Sequence, residues 1–128
     1  MTAIATALVL AAVGGICAIF LAQPLTRFYD LREECREQML YSANVRLPDT
    51  GESDAALREH QQALRRLGTR MSAFADTRTV AVFLIEAQGY EPHLAAAGLI
   101  GLSNALPRYG EERQRWRTQV EQALKFPG

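Results

Sequence analysis

The sequence predicts an all-α protein, in which one N-terminal transmembrane helix is followed by a small cytoplasmic bundle of four to five helices. Three observations support this fold class. Residues 1–26 contain no Asp, Glu, Lys or Arg. The rest of the chain repeats apolar residues at spacings of three and four, which is the period of an amphipathic helix. No segment shows the apolar–polar alternation between short turns that is typical of strands.

The N-terminal run from Ala3 to Ala22 has only Thr6 and Cys17 as polar side chains. At a rise of about 1.5 Å per residue it reaches roughly 30 Å, the thickness of the hydrocarbon core of a bilayer. A cleaved signal peptide and a buried soluble helix are the alternatives. No basic residue precedes the run, whereas signal peptides begin with one or more. Residues 1–24 are therefore predicted to be an uncleaved transmembrane anchor.

The orientation of the anchor follows from its flanking charges. Arg27, Arg32 and Arg36 follow the run closely, and basic residues collect on the cytoplasmic side of a membrane. The sequence therefore predicts an N-terminus outside and residues 25–128 in the cytoplasm as one helical domain. The chain has 14 Lys and Arg together, nearly all of them Arg. This bias is associated with bacteria, so the inner membrane is the expected location.

Small residues repeat every four positions along the predicted anchor, at Ala3, Ala7, Ala11 and Gly15. In lipid, small side chains let two helix backbones approach closely, and close packing drives association. The row is therefore a candidate membrane self-association face. The alternative is that alanine is simply abundant in this chain.

Loop and turn residues divide the remaining chain into predicted helices. Pro24 marks the membrane boundary, and the next helix is expected to continue the membrane helix directly, with a bend near Pro24. The loop 47–54 combines Pro, Gly, Asp and Ser, and 107–110 is a predicted turn. The predicted helices are 25–45, 55–75, 78–88, 91–106 and 111–125.

The helix predicted over 55–75 contains an apolar seam with one polar member, His60. Its positions step by three and four residues, as in a helix packed against a partner helix. We expect this seam to contribute to the bundle core or to contact a second copy of the chain. The members of the seam are Leu57, His60, Leu64, Leu67, Met71 and Phe74.

The apolar stretch 79–106 raises the question of a second membrane span. Glu86, Gly89 and Pro92 interrupt it, and the remaining pieces are too short to cross a bilayer. The sequence therefore predicts a buried helical hairpin. Within it, Gly98 and Gly101 are predicted to permit close helix packing.

No catalytic, cofactor-binding or metal-ligating residues are predicted, and the protein is not expected to be an enzyme. Cys17 and Cys35 lie about 27 Å apart if one helix joins them, so they cannot form a disulfide within the chain. His60 and His93 have no second ligand nearby in sequence, and the chain lacks a phosphate-binding glycine motif. The formal net charge of zero argues against a basic nucleic-acid-binding protein.

Five polar residues are candidates for interaction or ligand binding. Arg65, Arg66 and Arg70 form a basic cluster suited to anionic lipid or an acidic partner. His60 on the seam can make a contact sensitive to pH. Asn104, at the end of an apolar helix, can cap a chain segment or bind a ligand. The alternative for each is an ordinary structural or solvated side chain.

These observations predict a single-pass membrane protein that acts as a protein–protein interaction or assembly module. Its expected partners are the lipid bilayer and another copy of itself, another protein, or both. One alternative is a homo-oligomeric pore-forming or membrane-disrupting effector, since several Ala/Gly-rich helices can surround a narrow opening. Another is a ligand-sensing domain with a pocket in the 80–106 hairpin. Neither nucleic acid nor a cofactor is an expected partner.

Overall fold

The computed structural model describes residues 2–43, 51–107 and 111–127. These residues form six α-helices and no strand, which confirms the predicted all-α class. A five-residue π-helical turn, Ala18–Ala22, lies between the first two helices. The helices are α1 (Thr2–Cys17), α2 (Gln23–Ala43), α3 (Gly51–Asp76), α4 (Val80–Ala87), α5 (Pro92–Ala105) and α6 (Glu111–Ala123).

The π turn has a local cause in the sequence. Pro24 has no backbone N–H, and its ring conflicts with the carbonyl four residues earlier in a regular α-helix. In the structure the N–H of Gln23 donates instead to the carbonyl of Ala18, five residues back, which is the π-helical pattern. The backbone stays helical from α1 through the π turn into α2, so the first bundle helix continues the N-terminal helix directly, as predicted.

Across the part of the chain that the structure describes, no individual helix combines the length and apolar character needed to cross a membrane.

The structure of the N-terminal run differs in one respect from the predicted 20-residue helix. The sequence predicted a single spanning helix over Ala3–Ala22, whereas the structure divides this run between α1 and the π turn. α1 has 16 residues, and none of them is buried.

The boundaries of the other helices lie close to the predicted ones, with one exception. α3 begins at Gly51, inside the predicted loop 47–54, and continues to Asp76. The first part of that loop and most of the predicted turn 107–110 lie outside the described residues. α4 begins after Thr79, whose side chain accepts a hydrogen bond from the backbone N–H of Val82 and so caps the helix.

The predicted seam of α3 lies in the core of the bundle. α3 packs against α2 on one side and α5 on the other. Its apolar members are all buried, with Leu64 and Met71 fully inaccessible to solvent. The seam is therefore covered by the chain itself and does not provide a surface for a second copy. The buried apolar members are Leu57, Leu64, Leu67, Met71 and Phe74.

Glycines bring α5 close to α6, as the close packing predicted for Gly98 and Gly101 requires. A Cβ built on Gly98 would lie 2.6 Å from Cγ2 of Val120, and one on Gly101 would overlap with the indole ring of Trp116. Both contacts join α5 to α6. α5 is thus the central helix, lying between α3 and α6.

The prediction that residues 79–106 form a helical hairpin is wrong, because the two helices do not pack mainly on each other. α4 contacts α2 and the π turn, whereas α5 packs on α3 and α6. The two helices follow one another in sequence but pack mainly on other elements.

Candidate functional site

An aromatic cluster holds together the end of the bundle at which α2 leaves the π turn, here called the anchor end. Phe28 is fully buried at its centre. The ring of Phe28 stacks on Phe74 of α3 at 5.6 Å between centroids and meets Tyr90, after α4, edge-on at 5.2 Å. Tyr29 donates a hydrogen bond to Oε1 of Gln88 at 3.2 Å. These contacts fix α3 and α4 against the first turns of α2.

Arg32 joins the anchor end to the C-terminal end of the chain. Its Nε donates to the carbonyl of Leu124 at 2.7 Å, and a terminal nitrogen donates to the carbonyl of Lys125 at 3.0 Å. The guanidinium also lies over the rings of Tyr90 and Phe126, at 5.7 and 5.0 Å. Carbonyls at a helix C-terminus carry partial negative charge, so a cation stabilises the end of α6.

A cavity of about 500 Å³ opens between α2 and α3 at the anchor end. Leu31 and Phe74 provide apolar walls, and Arg27 and Arg70 provide cationic ones. A neighbouring cavity of about 440 Å³ shares the same two arginines and includes Asp30 and Glu34. The walls of the first cavity are completed by Pro24, Ala73, Thr77 and Thr79. This cavity therefore combines apolar surface with two arginine side chains next to the uncharged N-terminal helix, and one of them, Arg70, pairs with Glu34.

The predicted arginine cluster is divided between two faces of α3. Arg65 points toward α5, where its guanidinium donates to Oγ of Ser103 at 3.2 Å and to Oδ1 of Asn104 at 2.8 Å. Arg70 points toward α2 and pairs with Glu34 at 2.7 Å. Arg66 lines a groove on the same side as Arg70. The structure thus brings Arg66 and Arg70 together and separates Arg65 from them.

Asn104 and Arg65 belong to a polar connection between α3 and α5. Ser103 is completely buried, and its hydroxyl donates to the carbonyl of Ile100 at 2.6 Å. Gln61 donates from its side-chain amide to the carbonyl of Ser103 at 2.9 Å. Asn104 itself is exposed. Its side chain therefore links two helices while remaining accessible to solvent.

His60 has a polar partner within the bundle. It is half-buried between α3 and α2, and its Nδ1 lies 2.9 Å from Nε2 of Gln38. The Gln38 amide nitrogen can donate to Nδ1 when that ring nitrogen carries no proton. Within residues 2–43, 51–107 and 111–127, no group of three or more His, Cys, Asp or Glu side chains is placed to hold a metal ion.

The two cysteines occupy different environments, and both are free. Cys17 is exposed at the end of α1, whereas Cys35 is fully buried in α2. Burial raises the pKa of the Cys35 thiol from its ordinary value near 9 to about 12, and the neighbouring carboxylate of Glu34 adds to this effect, while Arg70 opposes it. The Cys35 thiol therefore stays protonated and unreactive at neutral pH.

The predicted self-association face is fully exposed. Ala3, Ala7, Ala11 and Gly15 lie along α1, and no residue of that helix is buried by the rest of the chain. A Cβ built on Gly15 would have no neighbour within 4 Å, and the same holds for Gly14. The backbone on this side of α1 is therefore open to a close approach.

Comparison with known protein families, with curated proteins and with solved structures finds no match for this chain.

Sequence reasoning missed the two features that define the anchor end, namely the Arg32 contacts and the cavity beside Arg27. The position of Arg32 in the sequence predicts only an orientation for the expected anchor, because its carbonyl partners lie more than ninety positions away. No local spacing signals such a contact. The cavity was missed for the same reason, since its walls come from α2, α3 and the residues that precede α4.

Proposed function

We propose that the protein is a single-pass, membrane-anchored module that mediates protein–protein interaction or assembly. α1 and the π turn form the anchor, and α2–α6 form the domain that it tethers. One observation carries the proposal: α1 is apolar on every side and buries none of its residues. The large apolar side chains left exposed there are Ile4, Leu8, Val9, Leu10, Val13 and Ile16, followed by Ile19 in the π turn.

Lipid is the environment that suits a helix with apolar side chains exposed on every side. Nine residues, or about two and a half turns, separate Ile4 from Val13, so the two side chains lie on opposite sides of α1. They are 68% and 51% exposed. A single partner helix covers one side only, whereas lipid covers all sides at once. Leaving each large apolar side chain in water costs about 1.5–3 kcal/mol relative to burial, which opposes a soluble α1.

The length of the anchor is sufficient when α1 and the π turn are counted together. Their 16 and five residues follow one another without a break. The combined rise is roughly 30 Å, which matches the hydrocarbon core of a bilayer. Residues 2–22 also contain no charged side chain, so none has to be neutralised or paired within lipid.

The orientation that we propose places the bundle in the cytoplasm of a bacterial cell, next to the inner membrane. Three arginines, Arg27, Arg32 and Arg36, lie in the first four turns of α2, directly after the anchor. Basic residues in this position favour the cytoplasmic side of the membrane. Arg27 is exposed at the anchor end, where it can meet anionic headgroups.

Assembly through the anchor is supported by the open face around Gly15. Because no side chain of the same molecule lies near Gly14 or Gly15, a second copy of the helix can approach the backbone there. The tethered bundle brings its exposed polar residues, Asn104 and Arg66, to the same membrane-bound complex.

The anchor is tested by membrane extraction of the full chain. Native protein should stay in the membrane pellet after a carbonate wash. Val13→Arg should release a large fraction, because a central arginine costs about 2.5–3.5 kcal/mol on insertion. Gln62→Arg is the matched control, since Gln62 is exposed on the bundle. Recovery of the native chain in the wash would contradict the anchor.

The orientation is tested by labelling one introduced cysteine at a time with a membrane-impermeant maleimide, with Cys17 replaced by alanine and the buried Cys35 retained. Thr2→Cys should react in intact spheroplasts, and Ala56→Cys should react only after permeabilisation. Both positions are exposed, so accessibility depends on the membrane alone. The reverse pattern would show that the bundle lies outside.

The interaction role is tested by crosslinking in native membranes followed by mass spectrometry. We expect crosslinks between two copies of residues 2–22, or between the bundle and another protein. Monomeric chains without crosslinked partners would contradict this role. Ion flux through liposomes that hold the purified protein would favour the pore-forming alternative instead.

A further inference from the structure

α4 is a short helix with two apolar faces, only one of which is used by the bundle. Ala81, Val82 and Ile85 are buried. The opposite side exposes Val80, Phe83, Leu84 and Ala87, here called the α4 row. Val80 is 63% exposed and Phe83 is 70% exposed. Their spacing of three, one and three residues forms a single stripe along the helix.

The α4 row lies at the anchor end. α4 contacts the π turn directly and also packs on α2. The hydrogen bond from Tyr29 to Gln88 fixes its C-terminal end, and Thr79 at its N-terminal end lines the same cavity as Pro24. α4, which carries the row, therefore adjoins the last turn of the proposed anchor.

The composition of the row suits the boundary between headgroups and acyl chains. It contains an aromatic ring and three aliphatic side chains and no charged residue, so its insertion leaves no charge to be buried. Basic side chains stand beside it. Arg78 precedes α4 and is exposed, and Arg27 lines the cavity at the N-terminal end of α4. Arginines at this depth can contact anionic headgroups.

From these observations we propose that the α4 row inserts into the headgroup–acyl boundary of the membrane that holds the anchor, as a second contact with lipid. The proposal rests on the proposed function, because only an inserted residue 2–22 segment brings the row to a bilayer. Lipid is favoured over a protein partner because α4 contacts the π turn, which directly follows a helix that is apolar on all sides. The anchor and the α4 row together fix the orientation of the bundle relative to the membrane, whereas the anchor alone allows the bundle to rotate.

The test uses the full chain with Cys17→Ala and one new cysteine carrying an environment-sensitive fluorophore. Buried Cys35 stays unlabelled because its thiol is inaccessible. The three label positions are Val9→Cys in the anchor, Phe83→Cys in the row and Arg58→Cys, which is exposed on α3 far from the anchor end. The vesicles contain about three parts phosphatidylethanolamine to one part phosphatidylglycerol, an anionic lipid mixture. The quencher is a lipid with a nitroxide near the glycerol end of its acyl chain.

We expect the lipid nitroxide to quench the labels at positions 9 and 83 at least about twofold more than the label at position 58. Position 83 should also show a blue-shifted emission. Quenching at position 9 without quenching at position 83 would overturn the α4 contact and leave the anchor intact. A blue shift at position 83 without quenching would place a protein on the row and also overturn the proposal. If position 9 is not quenched, the proposed function fails, and the α4 contact fails with it.

Discussion

The guanidinium of Arg32 and the main-chain carbonyl of Leu124 are joined by a 2.7 Å hydrogen bond that links the start of the bundle to its last helix. A second bond reaches the carbonyl of Lys125 at 3.0 Å. α6 ends at Ala123, so these carbonyls lie at and just beyond its C-terminal end, where helical acceptors otherwise need water. One side chain therefore satisfies two acceptors and links the C-terminal end of α6 to α2.

Replacing Arg32 with methionine should lower the free energy of unfolding by about 2 kcal/mol, because two hydrogen bonds from a charged donor are lost. The measurement is thermal unfolding of the full chain in a mild detergent, followed by circular dichroism. Arg36→Met on the same helix is the control. Arg36 makes a 3.8 Å ion pair with Glu33 between half-exposed side chains, so its loss should cost less than about 1 kcal/mol. Equal effects of the two variants would show that the Arg32 contacts do not stabilise the fold.

Gly101→Ala should destabilise the bundle by about 1–3 kcal/mol, because the new Cβ would overlap with the Trp116 ring. The emission of Trp116 should also change, since its packing against α5 is disturbed. Gly14→Ala is the matched control in an open position with no neighbour within 4 Å. It should leave the melting temperature unchanged or slightly higher. A Gly101→Ala protein as stable as the control would contradict the close packing of α5 on α6.

Leu64→Asp should cost at least about 3 kcal/mol, because it introduces an unpaired carboxylate at a fully buried position of α3. Gln62→Asp introduces the same side chain two positions earlier on the exposed surface. The control should change stability by less than about 0.5 kcal/mol. Chemical denaturation of both variants in the same detergent provides the comparison. Similar midpoints would mean that the seam is not part of the core.

Cys35 should make the stability of the fold fall as the pH rises above 9. The pKa of its thiol is raised to about 12 in the folded chain. Between these pH values the unfolded chain loses the thiol proton and the folded chain keeps it, so high pH favours unfolding by at most about 1.4 kcal/mol per pH unit. Cys35→Ala removes this contribution and should show a shallower decline. Parallel pH profiles for the two proteins would contradict the raised pKa.

Gly15→Ile should weaken self-association of the anchor roughly twofold or more, because the larger side chain keeps two backbones apart. The measurement is a membrane two-hybrid reporter carrying residues 2–22. Val13→Ile is the control, since Val13 lies away from the row of small residues. An unchanged signal for Gly15→Ile would exclude the Ala3–Gly15 face as the contact.

Local pattern was enough to predict the helices and most of the core. The period of three and four placed Leu64 and Met71 on the inner side of α3, and both are fully buried. The small residues Gly98 and Gly101 indicated close packing of α5, which the structure confirms. These predictions succeed because helical periodicity and side-chain size act over a few neighbouring residues.

Contacts between distant segments were not predictable in the same way. Arg65 and Arg70 lie five positions apart on one helix, yet one pairs with α5 and the other with Glu34 of α2. Which face of α3 meets which helix depends on how the helices pair. The position of α4 on the π turn, rather than on α5, depends on the same pairing.

The sequence by itself determined that this chain is helical and that its first 26 residues are free of charge. The first property comes from local periodicity and the second from composition, so neither depends on packing. The tertiary structure alone decided that Arg32 holds the end of α6 and that the α4 row stays uncovered beside the π turn. Both depend on which apolar faces meet when the bundle closes, a choice among distant segments that short-range spacing does not encode.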